Sequence, residues 1–409
     1  MNYLEKLLQG APVEWKTLGE VFNLKNGYTP SKSKKEYWEN GTIPWFRMED
    51  IRENGRVLNS ALQKVSMAGV KGGKLFPANS IMLSTTATIG EHALIQTDYL
   101  SNQQLTNFTI KEVYKDILDI KFCFYYFFII GQDIKMMVGN ANLPIVSIEK
   151  LKKFKIPIPP LAVQKEIARI LDAFTAITSE LTSELTLRQK QYQHYRDKLL
   201  TFGDEVEWKT IEEIFNLKNG YTPSKSKKEY WENGTIPWFR MEDIRENGRV
   251  LDSSLQKVSE AGVKGGKLFP ANSIIVATSA TIGEHALITV PFLANQRFTV
   301  LTLKDEFKEM FSIKFIFYYC FLLDEWCKKN TTKSSFSSVD MAGFKNFPVP
   351  IPPIEEQKRI AGILDKFHTL TSSLSDGLPK EIELRQKQYE YYRDLLLNFK
   401  QDEASLSPS

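Results

Sequence analysis

Catalytic and metal-binding residue types are scarce in this chain. Its 409 residues include only three cysteines and four histidines. The histidines, at positions 92, 194, 285 and 368, lie at no metal-ligand spacing, and no cysteine pair forms CxxC. Cys123, Cys320 and Cys327 sit in or beside aromatic-rich runs and read as small buried hydrophobes of a reducing compartment. The phosphate-cradling patterns GxxxxGK[ST] and GxGxxG are both missing. "PIPP" has a superficial likeness to the Pro-Pro loop of amino-methyltransferases, but lacks the preceding Asn or Asp and the following aromatic residue. The longest apolar run, "FCFYYFFII" from Phe122, is about half of what spans a bilayer. With no signal peptide visible, a cytoplasmic protein without membrane contact is expected. His92 and His285 lie in a repeated "GEHALI" and read as structural. An enzyme reading finds no residues to carry it.

Charge of one sign is not in large excess either: Lys and Arg number 53 against 49 Asp and Glu, a net of +4. That permits an anionic partner without demanding one. Hydrophobic residues make up 42% and aromatics 12%, enough for real cores, and the length suits two or three domains.

What the chain has in abundance is itself. "NLKNGYTPSKSKKEYWENGTIPWFRMEDIRENGRVL" begins at Asn23 and again at Asn216. The offset of 193 also relates Val13 to Val206, Gly90 to Gly283 and Pro160 to Pro353. Such a period is far too long for a stacked solenoid and denotes two whole domains. Similarity falls after Ile95, although Asn102-Gln103 still face Asn295-Gln296. It nearly vanishes where "KMMVGNANLPIVSIEKL" faces "CKKNTTKSSFSSVDMAGF", then returns at "IPIPPLAVQKEIARILDAF" against "VPIPPIEEQKRIAGILDKF". Constant, variable, constant is the pattern of two related readers.

Within each domain "TIPWFRMEDI" and "NSIMLSTTATIGEHALI" read as strands, the second folded at Gly90, and "DILDIKFCFYYFFIIGQDIKMM" is long enough and polar enough at its ends for a helix, although its aromatic run would also suit a strand. Beyond each proline run the period changes. Val163, Ile167, Ile170, Phe174, Ile177 and Leu181 alternate steps of four and three, a coiled-coil seam. Ile360, Ile363, Phe367, Leu370 and Leu374 repeat it. Each seam would run roughly 60 Å if continuous. The second contains an extra step of four, since Leu187 matches Leu384 at an offset of 197. The insert reads "SDGLP" and predicts a break, with Pro379 restarting the helix in its first turn. "YLEKLLQG" at Tyr3 resembles "YRDKLLTF" at Tyr195 and "YRDLLLNF" at Tyr392, so the chain starts with the tail end of the same helix.

The expected fold class is α+β: two tandem mixed α/β domains, each followed by a long helix. The helices are expected to pair as an antiparallel coiled coil with a pseudo-twofold axis and a near-circular layout. Expected boundaries are a helix stub at 1–12, domains at 13–160 and 206–353, long helices at 161–205 and 354–400, and a disordered tail at 401–409.

The remaining signal is a binding surface. The repeated loop offers Lys25, Asn26, Tyr28, Thr29, Lys32, Lys34 and Lys35, then Lys218, Asn219, Tyr221, Thr222, Lys225, Lys227 and Lys228. Lys71 and Lys74 flank Gly72-Gly73, as Lys264 and Lys267 do in the second domain, where close backbone approach is expected. Lys329 and Lys333 lie in the hydroxyl-rich "KKNTTKSSFSS". Such basic, polar loops suit phosphates and base edges. "LRQKQY" recurs in both helices, and Arg188, Lys190, Arg385 and Lys387 form a candidate outward surface for a protein partner.

"NGYTPSK…YW.NGTIPWFRMEDI", "ATIGEHALI" followed by "NQQ", and "IPIPPLAVQKEIARILD" leading into a long helix resemble the specificity subunits of type I restriction–modification enzymes. The likeness covers nearly the whole chain, twice. It implies two target-recognition domains reading a bipartite site in double-stranded DNA, held apart by the helix pair as a ruler. It implies no catalysis by this chain. Two methyltransferase subunits carrying S-adenosylmethionine would dock on the helices, and two translocase–nuclease subunits, with ATP and Mg, would complete the restriction form. Methylation would be of the adenine type. Where the family's two domains usually differ widely, the near-identical first halves here imply a partly inverted-repeat site. Other readings are a coiled-coil scaffold with protein-binding ends, a specificity chain of another restriction class, or an intrinsic nuclease or methylase.

Overall fold

The computed structural model describes residues 3–139, 145–332, 337–373 and 376–400. Two compact units emerge, one running to Thr178 and resuming at Arg385, the other spanning Ser179–Leu384. The tail expected at 401–409 lies outside the described residues.

The first unit opens with α1 (Tyr3–Leu8), β1 (Glu14–Thr17), α2 (Leu18–Val21), β2 (Phe22–Asn26), β3 (Ile43–Phe46), α3 (Met48–Asn54), β4 (Val57–Leu58) and β5 (Lys64–Val65). It continues with β6 (Ser80–Ser84), β7 (His92–Ile95), β8 (Leu100–Ser101), β9 (Leu105–Ile110), α4 (Ile120–Val138), α5 (Ile148–Leu151), β10 (Lys155–Ile158) and the start of α6 (Leu161–Leu199). The strands form a five-stranded sheet in the order β2-β9-β6-β7-β4, a three-stranded sheet β5-β3-β8 and the pair β1-β10. The expected hairpin is present: β6 and β7 pair antiparallel, Ile81 opposite Leu94.

Both faces of the large sheet are buried, with the two-residue period of a strand separating them. Ile81, Leu83, Leu94 and Phe108 face one core with Phe122, Cys123 and Phe127 of α4. Met82, Ala93, Ile95 and Leu105 face a second with Phe46, Met48 and Phe76. "MEDI" is helix rather than the expected strand. Asp50 is fully buried and accepts from the Arg47 amide at 2.7 Å and the Leu62 amide at 2.7 Å, which turns the chain into α3 directly after β3.

The second unit repeats the plan with β11 (Glu207–Thr210), α7 (Ile211–Ile214), β12 (Phe215–Asn219), β13 (Ile236–Phe239), α8 (Met241–Asn247), β14 (Val250–Leu251) and β15 (Lys257–Val258). There follow β16 (Ser273–Ala277), β17 (His285–Ile288), β18 (Leu293–Ala294), β19 (Phe298–Leu303), α9 (Ile313–Lys329), α10 (Met341–Lys345), β20 (Pro348–Ile351) and α11 (Ile354–Ser372). Its sheets are β12-β19-β16-β17-β14, β15-β13-β18 and β11-β20.

Each domain is bolted to the first turns of the helix that follows it. In the first, buried Gln164 donates to Pro159 O at 2.7 Å and Ile117 O at 2.9 Å, and accepts from the Asp119 amide. Asp172 receives the Tyr125 hydroxyl at 2.7 Å. Gln357 and Asp365 do the same for the second, with Pro352, Met310, Ser312 and Tyr318. The second long helix is two helices: α11 ends at Ser372 and α12 (Leu378–Leu397) restarts with Pro379 in its first turn, as "SDGLP" predicts. In the first unit Leu4, Ile167, Leu171, Tyr389 and Leu396 share one core, and Phe174 stacks on Tyr392 at 5.3 Å. In the second, Tyr192 and Leu200 share a core with Ile360 and Leu364, and Tyr195 stacks on Phe367 at 5.7 Å.

Candidate nucleic-acid interface

The lysine loop of the first domain leaves β2 at Gly27. A side chain there would sit 2.2 Å from Ser101 O, so only glycine lets the loop cross β8 this closely. The Gly27 amide donates to Leu105 O at 2.9 Å and the Tyr28 amide to Ser101 O at 2.7 Å. Tyr28 then turns inward. Its ring, with Trp38, packs on the small core of Ile43, Trp45, Val65, Val70 and Leu100. Its hydroxyl accepts from the Lys71 amide at 2.6 Å, tying the loop to the "KGGK" turn. The Trp45 indole donates to Tyr28 O at 3.0 Å, the Trp38 indole donates to Ser31 O at 3.0 Å, and the two rings meet edge-on at 5.0 Å.

The aromatics are therefore pillars, and the lysines are what they hold outward. Lys25, Lys32, Lys34, Lys35, Lys71 and Lys74 are all exposed. Lys34 donates to the Tyr37 hydroxyl at 3.1 Å, which with its neighbour Glu36 holds its pKa above the ordinary lysine value. Lys32, Lys35, Trp38, Glu39 and Gln63 line an open hollow of about 390 Å³. Gly72 and Gly73 have φ of +68° and +64°, and a side chain at either would meet nothing within 4 Å. Both glycines sit in a left-handed turn. Asn26 is occupied locally, accepting from Thr106 Oγ1 at 2.7 Å.

The second domain reproduces this geometry. The Tyr221 hydroxyl accepts from the Lys264 amide at 2.7 Å, and the Trp238 indole donates to Tyr221 O at 3.0 Å. Asn219 accepts from Thr299 Oγ1 at 3.1 Å. Lys218, Lys225, Lys227, Lys228, Lys264 and Lys267 are exposed, and Lys329 ends α9, also exposed. Lys333 lies outside the described residues.

One element escapes a reading of charge runs: the turn Asn102–Gln104. The Thr29 hydroxyl donates to Gln103 Oε1 at 2.6 Å, joining the turn to the lysine loop across 74 residues. The Thr85 amide donates to Gln104 O at 3.0 Å, and the Val146 amide to Thr85 O at 3.0 Å. Three separate loops thus meet at one end of the sheet. Thr222 and Gln296 are likewise hydrogen-bonded, and Thr278 donates to Arg297 O at 3.0 Å. The signal in the sequence is the doublet Asn-Gln, kept where its neighbours drift.

His92 and His285 lie in the interior of their domains. His92 is buried against Phe124 and Phe128, with Nε2 at 3.1 Å from Phe124 O. Burial, with the Arg56 guanidinium nearby, pushes its pKa down to about 3. His285 Nδ1 lies 2.6 Å from Asp324, which also receives Arg249 at 3.3 Å. Among the described residues no group of His, Cys, Asp and Glu could hold a metal ion, and no helix is long and apolar enough to cross a membrane. On the helices, Arg188 donates to Glu184 at 2.7 Å and Gln191 at 2.9 Å, Arg385 donates to Gln388 at 3.0 Å, and Lys190 and Lys387 are exposed.

Comparison with known proteins also returns a doubled domain. The family model described as the type I restriction modification DNA specificity domain matches residues 12–188 and again 203–384. The chain belongs to this family of type I restriction–modification specificity subunits. It is 37% identical over 427 aligned residues to the type I restriction enzyme EcoR124I/EcoR124II specificity subunit of Escherichia coli, covering 99% of this chain and 98% of that one. The EcoprrI specificity subunit, also of Escherichia coli, is 62% identical over 217 residues, a match spanning 51% of this chain and 54% of that relative. Among solved structures, the type I S subunit from M. genitalium superposes with a TM-score of 0.54 at 17% identity, covering 98% of this chain and all of that one. A chain from a structure of type I complex assembly and conformational transition gives 0.62 at 16% identity, over 95% and 98%. These two likenesses concern the fold.

Proposed function

We propose that this specificity subunit reads a bipartite, partly inverted-repeat site in double-stranded DNA, one half-site per domain. The observation that carries the reading is the pair of outward lysine loops built on identical aromatic pillars. Lysines so placed contact phosphates, which position a protein on the duplex, while base edges are read from what stands beside them. The helices are the ruler between the two readers. In support, each unit packs the start of one long helix with the end of the other, through Phe174 and Tyr392 in one and Phe367 and Tyr195 in the other, as antiparallel pairing requires. The chain itself catalyses nothing. S-adenosylmethionine, ATP and Mg belong to two methyltransferase and two translocase–nuclease subunits, the former docking on the faces that carry Arg188, Lys190, Arg385 and Lys387.

Duplexes selected from a random pool by the chain co-expressed with its methyltransferase subunit test the reading. A two-part motif with a fixed gap is expected, with affinity falling steeply with salt as counterions are released. Alanine at Lys32, Lys34 and Lys35 flattens the log–log salt slope by about one unit for each phosphate no longer neutralised, with folding unchanged. An unchanged slope moves the DNA-binding surface elsewhere.

A further inference from the structure

The two lysine loops cannot tell two half-sites apart, because residues 23–58 and 216–251 are the same sequence in the same conformation. Any difference in what the domains read must come from elsewhere. The turn hydrogen-bonded to that loop is one place where the same backbone hydrogen bonds carry a different side chain. In the first domain the Gln104 amide donates to Asn102 Oδ1 at 3.1 Å, and the Gln104 carbonyl receives the Thr85 amide at 3.0 Å. In the second, the Arg297 amide donates to Asn295 Oδ1 at 2.9 Å, and its carbonyl receives the Thr278 amide at 3.0 Å. Both side chains are exposed. They hang from one rigid peg beside Gln103 and Gln296, which Thr29 and Thr222 fix to the lysine loops.

Resting on the DNA-reading function above, we propose that Gln104 and Arg297 are specificity-determining residues, reading one base pair in the equivalent position of each half-site. The chemistry of the two side chains differs in the way that base recognition uses. A glutamine carboxamide matches the N6 donor and N7 acceptor of adenine, and a guanidinium matches the O6 and N7 acceptors of guanine. Asn102 Nδ2 donates to Gln104 Oε1 at 3.3 Å, which orients the amide and leaves its oxygen a second lone pair for a base. Arg297 makes no side-chain hydrogen bond or ion pair among the described residues, so its donors are available on a fixed mount. The first half-site therefore has an A·T pair where the second has G·C.

The experiment is duplex selection with the full chain co-expressed with its methyltransferase subunit, comparing the parent with Gln104→Arg and Arg297→Gln. Gln104→Arg is expected to turn one position of the first half-site from A·T to G·C, leaving the gap and the second half-site unchanged. Arg297→Gln makes the reciprocal change in the second. The preference at that pair should shift by on the order of ten- to a hundredfold, the range of a single bidentate contact. An unchanged motif in both variants overturns the assignment. So does loss of preference at several positions at once, which one base-edge contact cannot cause. Failure of the parent to enrich any motif is a different result and defeats the DNA-reading function itself.

Discussion

In the first recognition domain Tyr99, Ser101 and Asn107 meet inside the protein; the same three positions of the second are Phe292, Ala294 and Val300. All six are buried. The Tyr99 hydroxyl donates to Asn107 Oδ1 at 2.8 Å, and Asn107 Nδ2 donates to Ser101 Oγ at 2.8 Å and to Lys25 O at 3.1 Å. The second domain has no polar side-chain atom at any of the three. A second contrast lies under the hairpin. Gly131 of α4 is replaced by Asp324 of α9, and the arginine at this place pairs with Glu91 in one domain (Arg56) and Asp324 in the other (Arg249). Two interiors of different polarity thus support one outer loop. A buried polar group is tolerated when its partners are present, and its removal is tolerated when they go too. The two interiors can therefore differ at three linked positions beneath one loop without leaving an unpaired group.

The comparison breaks most visibly where the two domains do not differ. Gly27→Ala places a methyl group 2.2 Å from Ser101 O, and Gly220→Ala places one 2.3 Å from Ala294 O. Backbone must move in both cases. Each is expected to destabilise its own domain by about 3 kcal/mol, the upper range of overpacking, and to abolish binding of its half-site. The free cysteines report the domains separately, since Cys123 is buried in the first and Cys320 and Cys327 in the second. Urea-dependent thiol labelling resolved by peptide mass should show protection lost at Cys123 alone for Gly27→Ala. Equal loss at all three cysteines would mean that the units unfold as one.

Smaller, and more telling, is the interior exchange. Asn107→Val alone strips partners from Tyr99 and Ser101 and from Lys25 O. It is expected to cost about 2 kcal/mol at Cys123, the desolvation cost of buried groups left unpaired. The triple variant Tyr99→Phe, Ser101→Ala, Asn107→Val installs the second domain's answer and should return to within about 1 kcal/mol of the parent. A triple variant less stable than the single would show that the three positions are not one unit.

How much of this is legible in the sequence depends on how far apart along the chain the causes lie. The doubled chain, the Gly90 hairpin and the break before Pro379 follow from local pattern and turn chemistry. The helix after β3 does not, because its start is fixed by Asp50, whose second partner is Leu62. Among the candidate DNA-binding residues, the exposed lysines are visible as charge. Tyr28 reads as one more binding residue of the loop because its hydroxyl partner lies 43 residues away. The Asn-Gln turn reads as a remnant, and only Thr29 and Thr85, which bring two other loops to it, show its place. Long-range hydrogen bonds leave no period in a sequence.

The smallest effect sharpens the contrast between the two buried histidines. His285 has a carboxylate on its ring, whereas His92 has carbonyl oxygens, with the Arg56 guanidinium and Glu91 as the charges near it. With a folded pKa of about 3 against an ordinary 6.5, His92 stays neutral in the folded domain while the unfolded chain takes up a proton. The stability this represents is complete above pH 6.5 and is lost as pH falls toward 3, at about 1.4 kcal/mol per pH unit. Between pH 6.5 and 5.5 the first domain should therefore weaken by about 1 kcal/mol through this residue alone. His92→Phe removes the titrating group and the hydrogen bond to Phe124 O together, so its absolute stability is not the measure. The measure is the pH dependence of Cys123 protection in urea, read with a disulfide reagent that reacts in acid. The variant's curve should be flatter than the parent's by that amount, while Cys320 and Cys327 report an unchanged second domain. Parallel curves for parent and variant would mean that His92 takes up its proton at the same pH in the folded and unfolded chain, and that burial does not hold the ring neutral.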